Sequence, residues 1–287
     1  MIAIEQLRYV LLGTNDLAGA AEFAQRVLGL EPIDRTAARA RFRSDSRDYT
    51  LAFTADEPGV QAVGFEVRDV KTLDSALEAL RARGLRAERG TAEECGSRKV
   101  KHLLWFYDHS GNRIELVVRP LNSGWRYFPS RDAGIIGLDG VMLRSTAIEK
   151  DEALWTEVLG ARVSDWAGDA PYLKIDDAHH RLALFPASKA GILAVEYAVE
   201  SVNLMMRNYY VLQNTQVSIV HGPGRRPASE QLFLTFVGPD GVLYGFVAEG
   251  ADGETMRRPR QFPAGPEGFC SWGSENKIEE FNATGGR

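Results

Sequence analysis

The strongest constraint on how this chain folds is an internal repeat, because each copy of a repeated unit must reach the same architecture. Tyr9-Val10-Leu11-Leu12 leads into a helical stretch from Asn15-Asp16 to Val27-Leu28-Gly29, and Gly140-Val141-Met142-Leu143 leads into one from Ile148 to Val158-Leu159-Gly160. Val158 follows Val27 by 131 residues. A second landmark agrees: Asp108-His109-Ser110-Gly111-Asn112-Arg113-Ile114-Glu115-Leu116-Val117 is matched by Gly238-Pro239-Asp240-Gly241-Val242-Leu243-Tyr244-Gly245-Phe246-Val247, with Gly111 and Gly241 130 residues apart. The polar, turn-rich stretch Gly124 to Gly134 lies where a linker between the copies belongs. An N-terminal domain over residues 1–130 and a C-terminal domain over 131–287 are expected.

Each half is itself doubled. In the first, a strand near Leu7 to Leu12 precedes a helix capped by Asn15 or Asp16, with short strands around Ala40 to Arg43 and Tyr49 to Thr54. The cycle recurs with a strand Val63 to Val67 and an amphipathic helix Val70 to Arg83 carrying Leu73, Ala76, Leu77 and Leu80 on one face. Strands Lys101 to Tyr107 and Arg113 to Val118 follow, joined by a Gly111-Asn112 turn. The third module places strands Tyr172 to Ile175 and Arg181 to Phe185 around Asp176-Asp177-Ala178-His179-His180. The expected fold is α+β: four βαβββ modules in two tandem repeats, each pair of modules curling into an open barrel around a cavity.

Composition narrows the function. Lys plus Arg (34) against Asp plus Glu (39) leaves a charge of −5, which supplies no basic field for nucleic acid or an anionic membrane. No stretch approaches the roughly 20 apolar residues of a membrane span. Met1-Ile2-Ala3-Ile4-Glu5 lacks the pattern of a secretory signal, and Cys95 and Cys270 form neither a metal pair nor a disulfide framework, so a soluble, cytoplasmic protein is expected. There is no Gly-x-Gly-x-x-Gly helix opening, no nucleophile elbow and no zinc spacing at His179-His180. Trp105, Trp155, Trp166 and Tyr209-Tyr210 read as packing residues.

Val27-Leu28-Gly29, Gly64-Phe65-Glu66-Val67, Trp105 to Leu116, His179-His180-Arg181-Leu182-Ala183 and Gly238-Pro239-Asp240-Gly241 together resemble the type I extradiol ring-cleavage dioxygenases of the vicinal-oxygen-chelate (glyoxalase/bleomycin-resistance) superfamily. The resemblance runs from about Ile4 to Trp272. It implies a non-haem iron held in the C-terminal repeat by two histidines and a glutamate. The matching positions here are Gly140 in Gly137-Leu138-Asp139-Gly140, then Glu196 in Glu196-Tyr197-Ala198-Val199-Glu200 (Tyr197 if the register slips by one), and Gly245, four residues beyond Gly241. In the N-terminal repeat the same positions fall on Tyr9, a residue near Ala62, and Glu115. A shifted set, Asp139, Glu196 and Tyr244, does not converge, because alternate residues face opposite sides of a strand. No metal is therefore expected; Fe2+ or Mn2+ on altered ligands is the alternative.

The resemblance also makes His180 an acid/base group beside a bound catechol, with His179 next to it; the plain reading of both is a polar pair at a strand mouth. Strand alternation puts Glu196 on a face with Ala194 and Ala198, and Val195, Tyr197 and Val199 on the other. A cavity-lining Glu196 would move protons, and a solvated one would not. Arg226 stands where the family has a histidine, and Thr235 where it has a tyrosine. Arg226 either anchors a substrate oxyanion or belongs to an exposed basic loop. Asp139, Tyr197, Tyr244 and His221 are further pocket candidates, whereas His102 and His109 read as structural. The expected function is metal-independent acid/base catalysis on an aromatic or enolisable ring-type molecule, by isomerisation, carbon–carbon cleavage or cofactor-free oxygenation. An iron-dependent catechol dioxygenase and a non-catalytic small-molecule binder are the alternatives, and a homo-oligomer is implied by the resemblance.

Overall fold

The structure, a computed structural model, describes residues 2–251 and 258–282. The N-terminal half contributes β1 (Ile4–Gly13), β2 (Glu31–Arg35), β3 (Arg39–Arg43), β4 (Leu51–Thr54), β5 (Gln61–Val67), β6 (Ala87–Arg89), β7 (Val100–Tyr107) and β8 (Arg113–Pro120). The C-terminal half contributes β9 (Ile135–Ser145), β10 (Arg162–Ala167), β11 (Ala170–Lys174), β12 (Leu182–Pro186), β13 (Gly191–Val199), β14 (Ile219–Arg225), β15 (Leu232–Val237), β16 (Leu243–Ala248) and β17 (Arg260–Phe262). One sheet runs β2-β3-β4-β1-β5-β8-β7-β6 and the other β14-β15-β16-β13-β9-β12-β11-β10-β17. Two βαβββ modules meet through antiparallel first strands in each sheet, β1 with β5 and β9 with β13.

The helices are α1 (Leu17–Glu22), α2 (Val70–Ala82), α3 (Ala92–Arg98), α4 (Ile148–Ala153), α5 (Val202–Asn214) and α6 (Glu279–Asn282). Asp16 caps α1, its carboxylate accepting the Gly19 N–H at 2.9 Å, and Asp69 does the same for Thr72 at 2.8 Å. Helix α2 buries Leu73, Ala76 and Leu80, as its apolar spacing requires. The helices expected to reach Leu28 and Val158 instead widen to π turns over Phe23–Leu28 and Leu154–Val158. Both carry an aromatic ring packed on the other repeat: Phe23 lies 5.0 Å from Tyr244, and Trp155 lies 5.1 Å from Phe65. Gly29 ends the first at φ 82, where a side chain would press on the Arg131 carbonyl. The short α3, absent from the sequence reading, is set by a Thr91/Glu94 capping box. The turn between β7 and β8 spans Asp108 to Asn112, as the expected strand ends require, and the Asp108 carboxylate accepts the Ser110 and Asn112 N–H groups.

The main core lies between the helices and the outer face of each sheet, and Leu73, Met205, Val195 and Tyr197 all belong to it. Each concave face carries a separate apolar cluster. In the C-terminal repeat that cluster includes Tyr172, Phe185 and Ala194, and the chain's own tail completes it with Phe269, Ile278 and Phe281. The tail also adds β17 alongside β10 in parallel.

Candidate active site

Strand register assembles the site. Gly140 on β9 pairs with Glu196 on β13, Glu196 with Gly245 on β16, Gly245 with Thr235 on β15, and Thr235 with His221 on β14. Residues paired across a sheet face the same way, so these five form one row on the concave face. Glu196 is 1 % exposed at its centre. The glycines beside it make its room: a Cβ at Gly245 would stand 3.1 Å from Glu196 Oε1, and one at Gly140 3.7 Å from Oε2.

The carboxylate is met by a guanidinium. Arg226 follows β14, and its side chain turns back over the row, with Nη1 donating to Glu196 Oε2 at 3.1 Å and Nη2 to Oε1. Nη1 also donates to Gln231 Oε1 at 3.2 Å, and the guanidinium lies 5.2 Å over the Phe233 ring. Gln231 Nε2 donates in turn to Asp139 Oδ2 at 3.0 Å, whose other oxygen accepts from Arg181 at 2.6 Å. Burial opposes the charge on Arg226, but Glu196 more than offsets it, so Arg226 holds its proton more tightly than an ordinary arginine. Burial raises the Asp139 carboxyl above its usual range against the pull of Arg181.

Two imidazoles adjoin this pair. His179 Nε2 lies 2.9 Å from Asp165 Oδ2, its Nδ1 lies 3.0 Å from His180 Nδ1, and His180 Nε2 lies 4.0 Å from Glu196 Oε2. His180 Nε2 is buried without a hydrogen-bond partner among the described residues. Burial, then the neighbouring His179, Arg226 and Arg181, push the His180 pKa well below the usual value, so its ring is neutral at pH 7. Tyr172 meets it edge-on at 4.9 Å. His221, between Phe233 and Phe281, is lowered to about 4 by burial and Arg226.

The structure thus gathers His179, His180, Glu196, Arg226, Thr235, Asp139 and His221 around one point. It corrects several expectations. Tyr197 and Tyr244 sit one residue from the row and face the main core, so neither lines the concave side. Arg226 is 4 % exposed and belongs to no open loop, and Glu196 accepts from it at both oxygens. Asp165, Gln231, Tyr172 and Phe233 escaped sequence reading because no local spacing ties them to the site; only strand pairing does. The tail aromatics cover the same face. A cleft of about 450 Å³ opens elsewhere, between the repeats, beside Gln61, Tyr107, Asn112, Arg144 and Lys189.

The donor set does not fit a divalent metal. Two of the three ligand positions are glycines, the third is a carboxylate already bound to a cation, and a guanidinium repels a metal ion. Among the described residues no group of three or more His, Cys, Asp or Glu side chains is placed to hold one. The N-terminal repeat repeats the solution with its positions exchanged. There the row is Tyr9, Gly64 and Glu115, so the middle member is Gly64, two residues from Ala62. Glu115 is buried, accepts the Tyr9 hydroxyl at 2.6 Å, and pairs with Arg98 at 2.9 Å and Arg113 at 3.0 Å. Gly64 stands where the other repeat has Glu196, and Glu115 where it has Gly245.

Comparison with known proteins agrees with this architecture. Residues 6–116 match the model of the Glyoxalase/Bleomycin resistance protein/Dioxygenase superfamily. An iron-dependent extradiol dioxygenase of Rhodococcus jostii is 26 % identical over 229 residues, covering 70 % of this chain and 74 % of that protein. A 3-methylcatechol 2,3-dioxygenase of Pseudomonas putida is 28 % identical over 208 residues, covering 66 % and 71 %. The crystal structure of BphC, a halotolerant catechol dioxygenase, superposes with a TM-score of 0.88 at 20 % identity and 99 % coverage of both chains. No helix among the described residues is long and apolar enough to cross a membrane. Residues 6–116 thus carry the glyoxalase/bleomycin-resistance (vicinal oxygen chelate) domain, and the chain as a whole shares its fold with solved catechol dioxygenases.

Proposed function

We propose that this protein is a metal-independent enzyme of the extradiol-dioxygenase architecture, acting by proton transfer on an aromatic or enolisable ring-type small molecule. The observation that carries the reading is the buried Arg226–Glu196 pair between Gly140 and Gly245, which sets a permanent organic cation at the positions where the family resemblance implies iron. The two curated relatives are named for extradiol cleavage and for a methylcatechol, which supports a ring bearing hydroxyl groups as the ligand class.

His180 supplies the base. Its neutral ring presents Nε2 toward the row, where it accepts a proton from an acidic O–H or C–H of the ring. Negative charge left on the substrate is favoured by Arg226, whose positive charge is fixed by Glu196 in a dry site. Glu196 therefore positions Arg226 instead of shuttling protons. Thr235, one strand from Gly245, is a hydroxyl donor on the same row. Solvent exclusion comes from Phe269, Ile278 and Phe281.

Incubating the purified protein in deuterium oxide with catechols and cyclic 1,3-diketones, under excess chelator, tests the proposal. Deuterium incorporation that persists with chelator and is lost in His180→Gln is expected. Incorporation or turnover that requires added Fe2+ or Mn2+ overturns it, and tight binding without any turnover assigns the protein to sequestration.

A further inference from the structure

We infer that Asp165 and His179 are positioning residues that fix His180 in the tautomer with a bare Nε2 and move the positive charge away from Arg226 when His180 takes a proton. Asp165 anchors this chain of contacts. Its carboxylate sits on β10, accepting the Arg260 backbone N–H at 2.7 Å and the Arg260 side chain at 2.8 Å. Burial raises the Asp165 pKa, but its bonds with His179 and Arg260 outweigh that and hold it below the usual carboxylate value.

An ionised carboxylate only accepts hydrogen bonds. The 2.9 Å contact with Asp165 therefore places the proton of His179 on Nε2. With that proton on Nε2, His179 accepts at Nδ1, and the 3.0 Å contact takes its donor from His180, which carries its proton on Nδ1. This leaves His180 Nε2 as a lone pair, buried and without a partner among the described residues, 4.0 Å from Glu196 Oε2. Two carboxylates and two arginines thus face the imidazole pair: Asp165 at one end, with Glu196, Arg226 and Arg181 at the other.

The same chain of contacts disposes of the charge. When His180 Nε2 bonds a proton from the ring ligand, its Nδ1–H bond breaks and that proton passes to His179 Nδ1. His180 ends neutral with Nε2–H, and His179 ends as an imidazolium against Asp165. One proton enters, one is relayed, and no electron leaves either ring. An imidazolium on His180 would face Arg226 and Arg181, with Glu196 at 4.0 Å already bound to Arg226, whereas on His179 it faces the Asp165 carboxylate directly at 2.9 Å. Tyr172 contacts both rings, edge-on at 4.9 Å and 6.0 Å, and holds their mutual orientation.

The catalytic use of this relay rests on the proposed function, but the tautomer does not, and it can be read without any substrate. Histidine-15N protein gives long-range proton–nitrogen correlations that distinguish protonated from bare ring nitrogens, with His180→Gln identifying the His180 signals. At neutral pH His180 is expected to show Nδ1 protonated and Nε2 bare. In Asp165→Asn, whose amide donates to His179 Nε2, the pattern is expected to reverse along the chain, leaving His180 with Nε2–H; Asp165→Glu is expected to restore it. Protonated Nε2 in the wild-type protein overturns the inference, as does an unchanged His180 pattern in a folded Asp165→Asn. Should Asp165→Asn fail to fold, the wild-type spectrum alone decides. A bare Nε2 in a protein that lacks deuterium exchange would refute the function and keep the assigned tautomer.

Discussion

Arg226 and Glu196 approach from adjacent parts of one barrel and bind through both carboxylate oxygens, with Nη1 3.1 Å from Oε2, and neither residue is more than 4 % exposed. A buried pair of this kind gains little over an apolar core, but losing one partner strands a charge. Glu196→Gln is expected to destabilise the protein by about 3–5 kcal/mol, and the double variant Glu196→Met with Arg226→Met to recover most of that. Urea unfolding of the single and double variants measures both; equal losses in the two would show that the pair is not an isolated electrostatic unit.

The glycines flanking Glu196 differ in how much room they leave. Gly245→Ala places a methyl 3.1 Å from an oxygen that Arg226 holds in place, and a loss of about 1–3 kcal/mol is expected. Gly140→Ala meets its nearest atoms at 3.6 and 3.7 Å, ordinary contact, and a strand alanine there is expected to be neutral or to stabilise by about 0.4–1 kcal/mol. Thermal melting of the two variants checks the order.

Acid sensitivity follows from His221. Its pKa is about 4 when folded because of burial and Arg226, against about 6.5 unfolded, so the unfolded chain binds the extra proton first. The folded state has its full stability above pH 6.5 and loses this contribution as pH falls toward 4. His221→Phe, set between Phe233 and Phe281, is expected to flatten the decline seen in unfolding experiments between pH 7 and pH 5. An identical slope in the variant would show that His221 is not responsible.

The N-terminal repeat offers a parallel test. Tyr9 donates to the buried Glu115 at 2.6 Å while Arg98 and Arg113 hold its charge. Tyr9→Phe is expected to cost about 1.5–3 kcal/mol, the value of a hydrogen bond to a charged group. Denaturant midpoints report it, and a loss confined to the N-terminal sheet in hydrogen exchange would place it.

Much of the fold was legible because it is encoded twice. The Val-Leu-Gly and hairpin landmarks recur at nearly one spacing, and the apolar rhythm of α2 gave its buried face. The alternation in Ala194-Val195-Glu196-Tyr197 separated the two faces of β13 but left open which one is concave; the structure turns Glu196 inward with Ala194 and buries Tyr197 in the main core. What stayed hidden depends on pairing between distant strands. Nothing near Arg226 announces that it reaches Glu196, 30 residues earlier, and nothing near His179 points to Asp165. The tail was equally silent: no local pattern marks Phe269 and Phe281, which stack on each other at 4.6 Å inside the C-terminal barrel. The π turns were unreadable because a widened turn keeps the apolar spacing of an ordinary helix for most of its length.

Metal stoichiometry tests most directly whether a guanidinium has taken the place of iron. The protein is to be loaded with Fe2+ or Mn2+ without oxygen, desalted and analysed by mass spectrometry of its metals, beside Glu196→Gln. Far less than one ion per chain, unchanged in the variant, is expected from the Arg226–Glu196 pair. One tightly held ion per chain that disappears in Glu196→Gln would contradict it.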